Sequence, residues 1–414
     1  MSRRAAVQIV ERLREHGHVA YLAGGCVRDR LLGLEPKDHD VATDAPPEAV
    51  LKLFRRSQAV GEAFGVVLVY VGHGAERAGV EVATFRTEGV YSDGRRPDDV
   101  SYSDARHDAQ RRDFTVNGLF EDPLHKRQPN PVADDDGVID YVGGRADLDA
   151  GVLRAIGDPA RRFAEDYLRM LRAVRFAARL GFELHADTAA AIRDHAGSLE
   201  RIARERIGDE VRRAIAGPRP HLAASLLQGL SLDGPTLTEP PADPPLGALE
   251  RLAPGAGYPA ALAAWMFDRA ASKGGPPQPA DVARYRQALR LSNDETDALG
   301  RILRHIRSAD DWPGLGVAGR KRLLSCADWD AALAVLRALG RAQAIEADTP
   351  ALRDDNVGLA PPPLLDGGDL IASGLPPGPR FKTLLDRAYD AQLEGRLTSR
   401  EEALAWVKEA AATG

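Results

Sequence analysis

Asp38 and Asp40 flank His39. In an extended strand, residues i and i+2 point the same way, so both carboxylates can converge on one spot. Paired hard oxygens suit Mg²⁺, which takes one or two protein carboxylates and completes its shell with water and substrate phosphates. Alone, an Asp-x-Asp is a common turn feature. Upstream, Leu22-Ala23-Gly24-Gly25-Cys26-Val27-Arg28-Asp29 places two glycines where a strand passes into a helix. Glycine lets backbone N–H groups approach a phosphate closely. The helix start behind them favours an anion, and Arg28 on the first turn can reach the same anion. A phosphate-cradling turn shortly before a same-face carboxylate pair describes a site for a metal-bound nucleoside triphosphate.

Three further groups carry chemistry. Glu81 lies in the apolar run Val80-Glu81-Val82-Ala83-Thr84-Phe85. A buried acid there is costly unless paired or metal-bound, so Glu81 is a candidate third carboxylate, or else an outward edge residue. Arg111-Arg112-Asp113-Phe114-Thr115-Val116-Asn117 offers two guanidinium groups, a carboxylate and an amide for a triphosphate and a ribose. In Glu165-Asp166-Tyr167-Leu168-Arg169-Met170-Leu171-Arg172-Ala173-Val174-Arg175, the spacing by threes predicts Asp166, Arg169 and Arg172 on one helix face, extended by Arg175 and Arg179. An Asp beside an Arg pairs an acceptor with a donor. That matches the amino group and ring nitrogen on the edge of cytosine or adenine.

The elements that must position these residues follow from periodicity. Residues 5–16 predict an amphipathic helix, 18–23 a strand, 27–32 a helix, 38–43 a strand and 47–54 a helix. The β-branched runs 66–71 and 80–85 predict two more strands. Tyr91 to Asp108, rich in Asp, Gly, Pro and Ser, reads as a mobile loop. Beyond about residue 158, Ala, Leu and Arg recur at helical spacing, through 161–180, 186–196 and 204–216. Pro/Gly-rich stretches at 233–245 and 348–363 read as loops or linkers.

Composition sets limits. The chain has 414 residues and a net charge of −6, which argues against gross nucleic-acid affinity but permits a local basic surface. One exists, since residues 161–182 hold six Arg against two acids. Two cysteines, Cys26 and Cys326, exclude a disulfide framework and suggest a reducing compartment. No apolar run approaches the roughly 20 residues of a membrane span. Met1-Ser2-Arg3-Arg4 leads into an amphipathic segment without an apolar signal core, so secretion is not expected.

Gly24-Gly25-x-Val27-Arg28-Asp29, Leu31-Leu32-Gly33 and Lys37-Asp38-His39-Asp40-Val41-Ala42-Thr43 resemble the nucleotidyltransferase head of the class II bacterial poly(A) polymerase and tRNA CCA-adding family. Glu81 to Arg86, Arg111 to Asn117 and Glu165 to Arg172 resemble its later motifs, in order. Near the C-terminus, Gly368-Asp369-Leu370, Gly374 to Pro379 and Phe381 to Glu394 are similar to the tail of CCA-adding enzymes, which contacts tRNA in the family. Two departures are Cys26, where a small or aliphatic residue is usual, and His39, where an apolar or aromatic one is.

The resemblance implies an α+β fold: a polymerase-β-like head over 1–150, then an all-α neck over 151–220, body over 221–350 and tail over 351–414. It implies a catalytic group of Asp38, Asp40 and Glu81, with two Mg²⁺ ions held by Asp38 and Asp40. Gly24, Gly25, Arg28 and Arg111 or Arg112 would hold the triphosphate. Asp113 and Asn117 would orient the sugar. Asp166 and Arg169 would select CTP and ATP, and Arg172 and Arg175 would contact phosphates. The segment Glu88 to Asp104 stands at the family's flexible loop. The implied partners are tRNA, ATP and CTP, with no membrane, in a cytoplasmic monomer or weak homodimer. CCA addition is favoured over poly(A), A-only or CC-only addition. Residues 351–414 carry seven Lys/Arg against ten Asp/Glu, and a processive poly(A) polymerase would want a basic RNA-holding extension.

Overall fold

In the computed structural model, the described residues are 2–60, 65–72, 78–88, 100–128 and 130–412. They divide into two compact units. One comprises Met1–Ala214 with Leu226–Pro241, the other Ile215–Ser225 with Ala242–Gly414.

The first unit is built on a mixed sheet. Its strands are β1 (Ala20–Ala23), β2 (Asp40–Thr43), β3 (Ser57–Ala59), β4 (Val66–Val71), β5 (Ala78–Thr84), β8 (Phe120–Glu121) and β9 (Val138–Ile139), in the order β3-β4-β5-β2-β1-β8-β9. The strands β2 and β5 run parallel, and the remaining pairs run antiparallel. A separate hairpin pairs β6 (Arg86–Glu88) with β7 (Val100–Tyr102). The helix α1 (Ser2–Glu15) buries Ala5, Ala6, Ile9, Val10 and Leu13, an i, i+4, i+8 stripe. That stripe joins Leu22, Val41, Val67, Val69, Val80 and Val82 in one core. Tyr21, Phe85 and Phe120 pack with one another in a second cluster, with ring centroids 6.0–6.3 Å apart.

Helices then take over: α2 (Gly25–Leu31) and α3 (Pro47–Leu53) within the sheet region, α4 (Ala105–Gln110), α5 (Gly144–Ala150), α6 (Pro159–Glu165), α7 (Leu168–Leu180), α8 (Ala186–His195) and α9 (Arg204–Ile215). Two-residue strands, β10 (Val152–Leu153) and β11 (Glu183–Leu184), pair in parallel, an addition to the all-helical expectation for this stretch.

In the second unit the described residues form helices joined by loops, with no strand among them. Its long helix Tyr258–Ala271 is buried almost all round, with Trp265 at its centre. Lys321 is fully buried, pairing with Asp355 at 2.5 Å and donating to the Leu393 carbonyl at 3.0 Å. Near the C-terminus, Leu365, Leu370, Leu384, Ala388, Ala403 and Val407 form a small core of their own.

The expected α+β class, a sheet-bearing head followed by helices, is the observed one. Some expectations are corrected. Residues 100–102 are a strand and 105–110 a helix, where 91–108 was expected to be loop. The helix depends on Asp104, whose carboxylate caps α4 by accepting from the His107 N–H at 2.9 Å. Residues 91–99 of that loop lie outside the described residues. The expected single helix over 161–180 breaks at Asp166 and Tyr167. Asp166 is extended, and its carboxylate accepts from the Leu168 N–H at 3.0 Å, capping α7 instead of continuing α6. The expected linker at 348–363 begins later, because helix Gln343–Arg353 runs on through Pro350. Within 233–245, residues Asp233–Leu237 are helical.

Candidate active site

The strands β1 and β2 bring the two ends of the expected site together. Ala23 pairs with Asp40 across the antiparallel ladder, so the Gly24-Gly25 turn starts beside the second aspartate. Gly24 has φ 74 and ψ −124, a backbone state that suits glycine. Its N–H donates to the Leu119 carbonyl at 2.9 Å. A Cβ there would lie 2.8 Å from Arg112 Nη1.

Asp38 stands just before β2 and is exposed, His39 is buried, and Asp40 is exposed. This alternation puts both carboxylates on the outer face, as strand geometry predicts. His39 points inward, where its Nδ1 meets the Ser2 hydroxyl at 2.6 Å, and burial pulls its pKa down. Glu81 is exposed on β5, whose Val82 pairs with Val41 of β2. Asp40 is exposed, yet protein atoms around its carboxylate partly desolvate it. That desolvation, with the like charges of Glu81 and then Asp38, pushes its carboxyl up to about 6 against the pull of Arg112. Among the described residues no group of three or more His, Cys, Asp or Glu side chains is gathered to hold a metal. The geometry is a pair of hard carboxylates with a third nearby, a donor set that fits a divalent cation completed by substrate oxygens. Cys26, just behind, is buried and its thiol is pushed up to about 11.

Arg111 and Arg112 are half-buried and share one anchor. Asp108 receives Arg111 at 2.7 Å and Arg112 at 3.0 Å. Burial would raise the Asp108 carboxyl, but Arg112 and then Arg111 hold it below its ordinary value. The Arg112 guanidinium lies 5.0 Å from the Phe120 ring centroid. Sequence reasoning passed over Asp108 as an anchor, although it stands three and four residues before its partners, the helical ion-pair spacing.

Arg28 is buried. It is 2 % exposed. Its Nε and Nη2 donate to Asp29 Oδ1 at 2.8 and 2.5 Å, and its Nη1 donates to Asn117 Oδ1 at 2.5 Å. In this structure Arg28 is held by Asp29 and Asn117, just past the Gly24-Gly25 turn. Asp113 and Asn117 are also buried. Asn117 Nδ2 donates to Asp113 Oδ1 at 3.0 Å, and Arg172 donates to Asp113 Oδ2 at 2.6 and 2.8 Å. Burial alone would raise the Asp113 carboxyl. Arg172 above all, then the hydrogen bonds from Asn117, Arg172 and the Phe114 N–H, hold it at about 2.

Asp166 and Arg169 are half-buried and do not pair through their side chains. Asp166 takes a fork from Arg206 at 2.6 and 3.2 Å. Arg169 pairs with Glu165 and donates to the Arg162 carbonyl at 2.9 Å. Arg175 pairs with the buried Glu210 at 2.6 Å, with its guanidinium 4.1 Å from the Phe176 centroid. Arg206 and Glu210 lie 40 and 35 residues from their partners, so no local spacing could have announced them.

A mixed sheet carrying a Gly-Gly turn beside two same-face aspartates defines a nucleotidyltransferase head. Residues 20–154 match the poly(A) polymerase head domain, and 181–232 match the probable RNA and SrmB-binding site of polymerase A. The CCA-adding enzyme of Geobacillus thermodenitrificans is 33 % identical over 428 aligned positions, covering 99 % of this chain and 97 % of that protein. The chain belongs to the CCA-adding enzyme family. It spans about half the length of other curated relatives it matches: that of Limosilactobacillus fermentum is 42 % identical over 234 residues, 56 % of this chain and 55 % of that protein. Among solved structures, the Bacillus stearothermophilus CCA-adding enzyme in complex with CTP superposes with a TM-score of 0.75 at 29 % identity, covering 99 % and 98 % of the chains. Nucleotidyltransferases of this family generally need a divalent metal.

Proposed function

We propose that this chain adds C, C and A to the 3′ end of tRNA from CTP and ATP, without a template, releasing pyrophosphate at each step. The observation that carries this reading is the pairing of Ala23 with Asp40, which sets the Gly24-Gly25 turn beside the Asp38–Asp40 face. The CTP bound to the Bacillus stearothermophilus relative supports the substrate class. The RNA-binding match at 181–232 supports tRNA as partner. No helix among the described residues is long and apolar enough to cross a membrane.

Asp38 and Asp40 would hold the metal, proposed as Mg²⁺, with Glu81 beside them. Burial first, and then the like charges of Glu81 and Asp38, raise the Asp40 carboxyl, and a divalent cation would relieve that crowding of charge. When bound, it would supply Lewis-acid help to the attacking 3′-hydroxyl and the leaving pyrophosphate. Arg112, and Arg111 beside it, would neutralise the triphosphate. Gly24, Gly25 and Arg28 would hold the triphosphate with them, and Asp113 and Asn117 would orient the sugar. Asp166 and Arg169 would read the base edge, each held by an ion pair to Arg206 or Glu165. Arg172 and Arg175 would hold the helix that carries this reading group. A division of the chain into head, neck, body and tail at residues 150, 220 and 350 is proposed with it.

The experiment supplies Mg²⁺ and a tRNA transcript lacking its three terminal nucleotides, and reads product length with CTP, ATP or both. Two additions with CTP and a stop at three with both are expected. Ladders from ATP alone would replace the reading with poly(A) addition. A stop at two whether or not ATP is present would replace it with CC-only addition, and a single A added only to a tRNA already ending in CC, tested in parallel, would replace it with A-only addition.

A further inference from the structure

The basic stripe of α7 is not free. Each of its arginines is taken by an acid from another element, and the bonds join end to end. Arg179, on the last turn of α7, pairs with Asp29 Oδ2 at 2.7 Å. The other oxygen of Asp29 takes Arg28, which holds Asn117. Asn117 holds Asp113, Asp113 holds Arg172, and Glu210 takes Arg175 at 2.6 Å, with Arg172 3.8 Å away. The Phe176 ring lies among the Arg28, Arg172 and Arg175 guanidinium groups, at 5.1, 5.3 and 4.1 Å from its centroid. Asp29 is 4 % exposed, so removing either cation would leave a buried carboxylate short of a partner.

We propose that Asp29 and Arg179 are positioning residues for base selection. Asp29 sits four residues after Gly25 on α2, behind the Gly-Gly turn. Arg179 sits on the helix whose N-terminus carries Asp166 and Arg169. Their ion pair seats one end of α7 against the triphosphate turn, and Arg172 with Asp113 seats it about two turns nearer the reading group. Two fixed points set the angle of a helix, so the reach of the Asp166–Arg169 edge to a base depends on a bond at the far end of α7. Neither residue touches the nucleotide. The consequence is that loss of the bond loosens the choice of base more than it slows addition of the right one. This rests on the function proposed above.

The test compares wild type, Arg179→Gln, Arg179→Lys and Asp29→Asn for CTP against UTP incorporation into a transcript lacking its terminal nucleotides. KM and kcat are read separately, and far-UV circular dichroism checks folding. The expected result for Arg179→Gln is a loss of CTP-over-UTP preference of about tenfold, with kcat for CTP changed less than about threefold. Arg179→Lys should recover most of the preference. Asp29→Asn should lose preference and also raise the KM for CTP, since Arg28 loses its anchor. A preference within about twofold of wild type in Arg179→Gln, while wild type adds CCA, overturns the coupling alone. Wild type adding no nucleotide overturns the proposed function, and the coupling with it. Should Arg179→Gln fail to fold, Asp29→Asn decides: a preference matching wild type there overturns the coupling.

Discussion

Asp40 and Ala23 are partners across the β1–β2 ladder, and that one register places a carboxylate beside a glycine turn. A slip of one residue would send Asp40 to the inner face and His39 outward. The buried His39, tied to Ser2, opposes such a slip.

Asp40→Ala should abolish transfer, with kcat/KM falling at least about a hundredfold, while circular dichroism and the unfolding midpoint stay close to wild type. Asp40 is exposed, so the fold does not depend on its packing. A variant retaining a tenth of wild-type transfer would remove Asp40 from the metal-holding role.

Asp166→Ala should relax the choice among CTP, ATP, UTP and GTP more than it raises KM for CTP. Arg206→Ala should act in the same direction to a smaller degree, because it frees the carboxylate it now holds by a fork. Competition between labelled CTP and UTP measures both.

Gly24→Ala should destabilise the first unit by about 1–3 kcal/mol, the usual cost of holding a side chain in a sparsely populated backbone region. The added methyl also meets Arg112 Nη1 at 2.8 Å, so that guanidinium must shift. The expected kinetic signature is a raised KM for CTP, read beside the unfolding midpoint.

Stability should fall in acid with a contribution from Asp113. Its carboxyl lies at about 2 in the folded protein against an ordinary 3.8. A depressed value means the folded state holds the charged form more tightly. The stabilisation is therefore complete above about pH 5 and is lost as pH falls toward 2. Its size is about 2 kcal/mol, since holding a carboxyl tenfold more acidic is equivalent to about 1.4 kcal/mol. Urea unfolding between pH 2 and 6 should show this slope in wild type and lack it in Asp113→Asn.

Much of this protein was legible from the chain. The strand Val66–Val71 and the helix start at Pro47 stand where periodicity and a helix-initiating proline put them. The outward Asp38 and Asp40 with an inward His39 follow from the period of two in extended chain. The Gly24-Gly25 turn follows from a backbone need that no other residue meets as well. These features depend on neighbours within a few positions, which a sequence displays directly.

Only the tertiary structure decided which arginines are spoken for. Sequence offers Arg28, Arg172 and Arg175 as equal candidates for phosphate, since each carries the same charge on a helix. Asp29, Asp113 and Glu210 claim all three, the last two from separate elements. Arg111 and Arg112 remain half-buried beside the Asp40 face, with Asp108 as their shared anchor. The helix break at Asp166 was likewise hidden, because a carboxylate that caps α7 has the same local pattern as one that lies along it. A pairing between residues 59 or 150 positions apart leaves no periodic trace in the sequence.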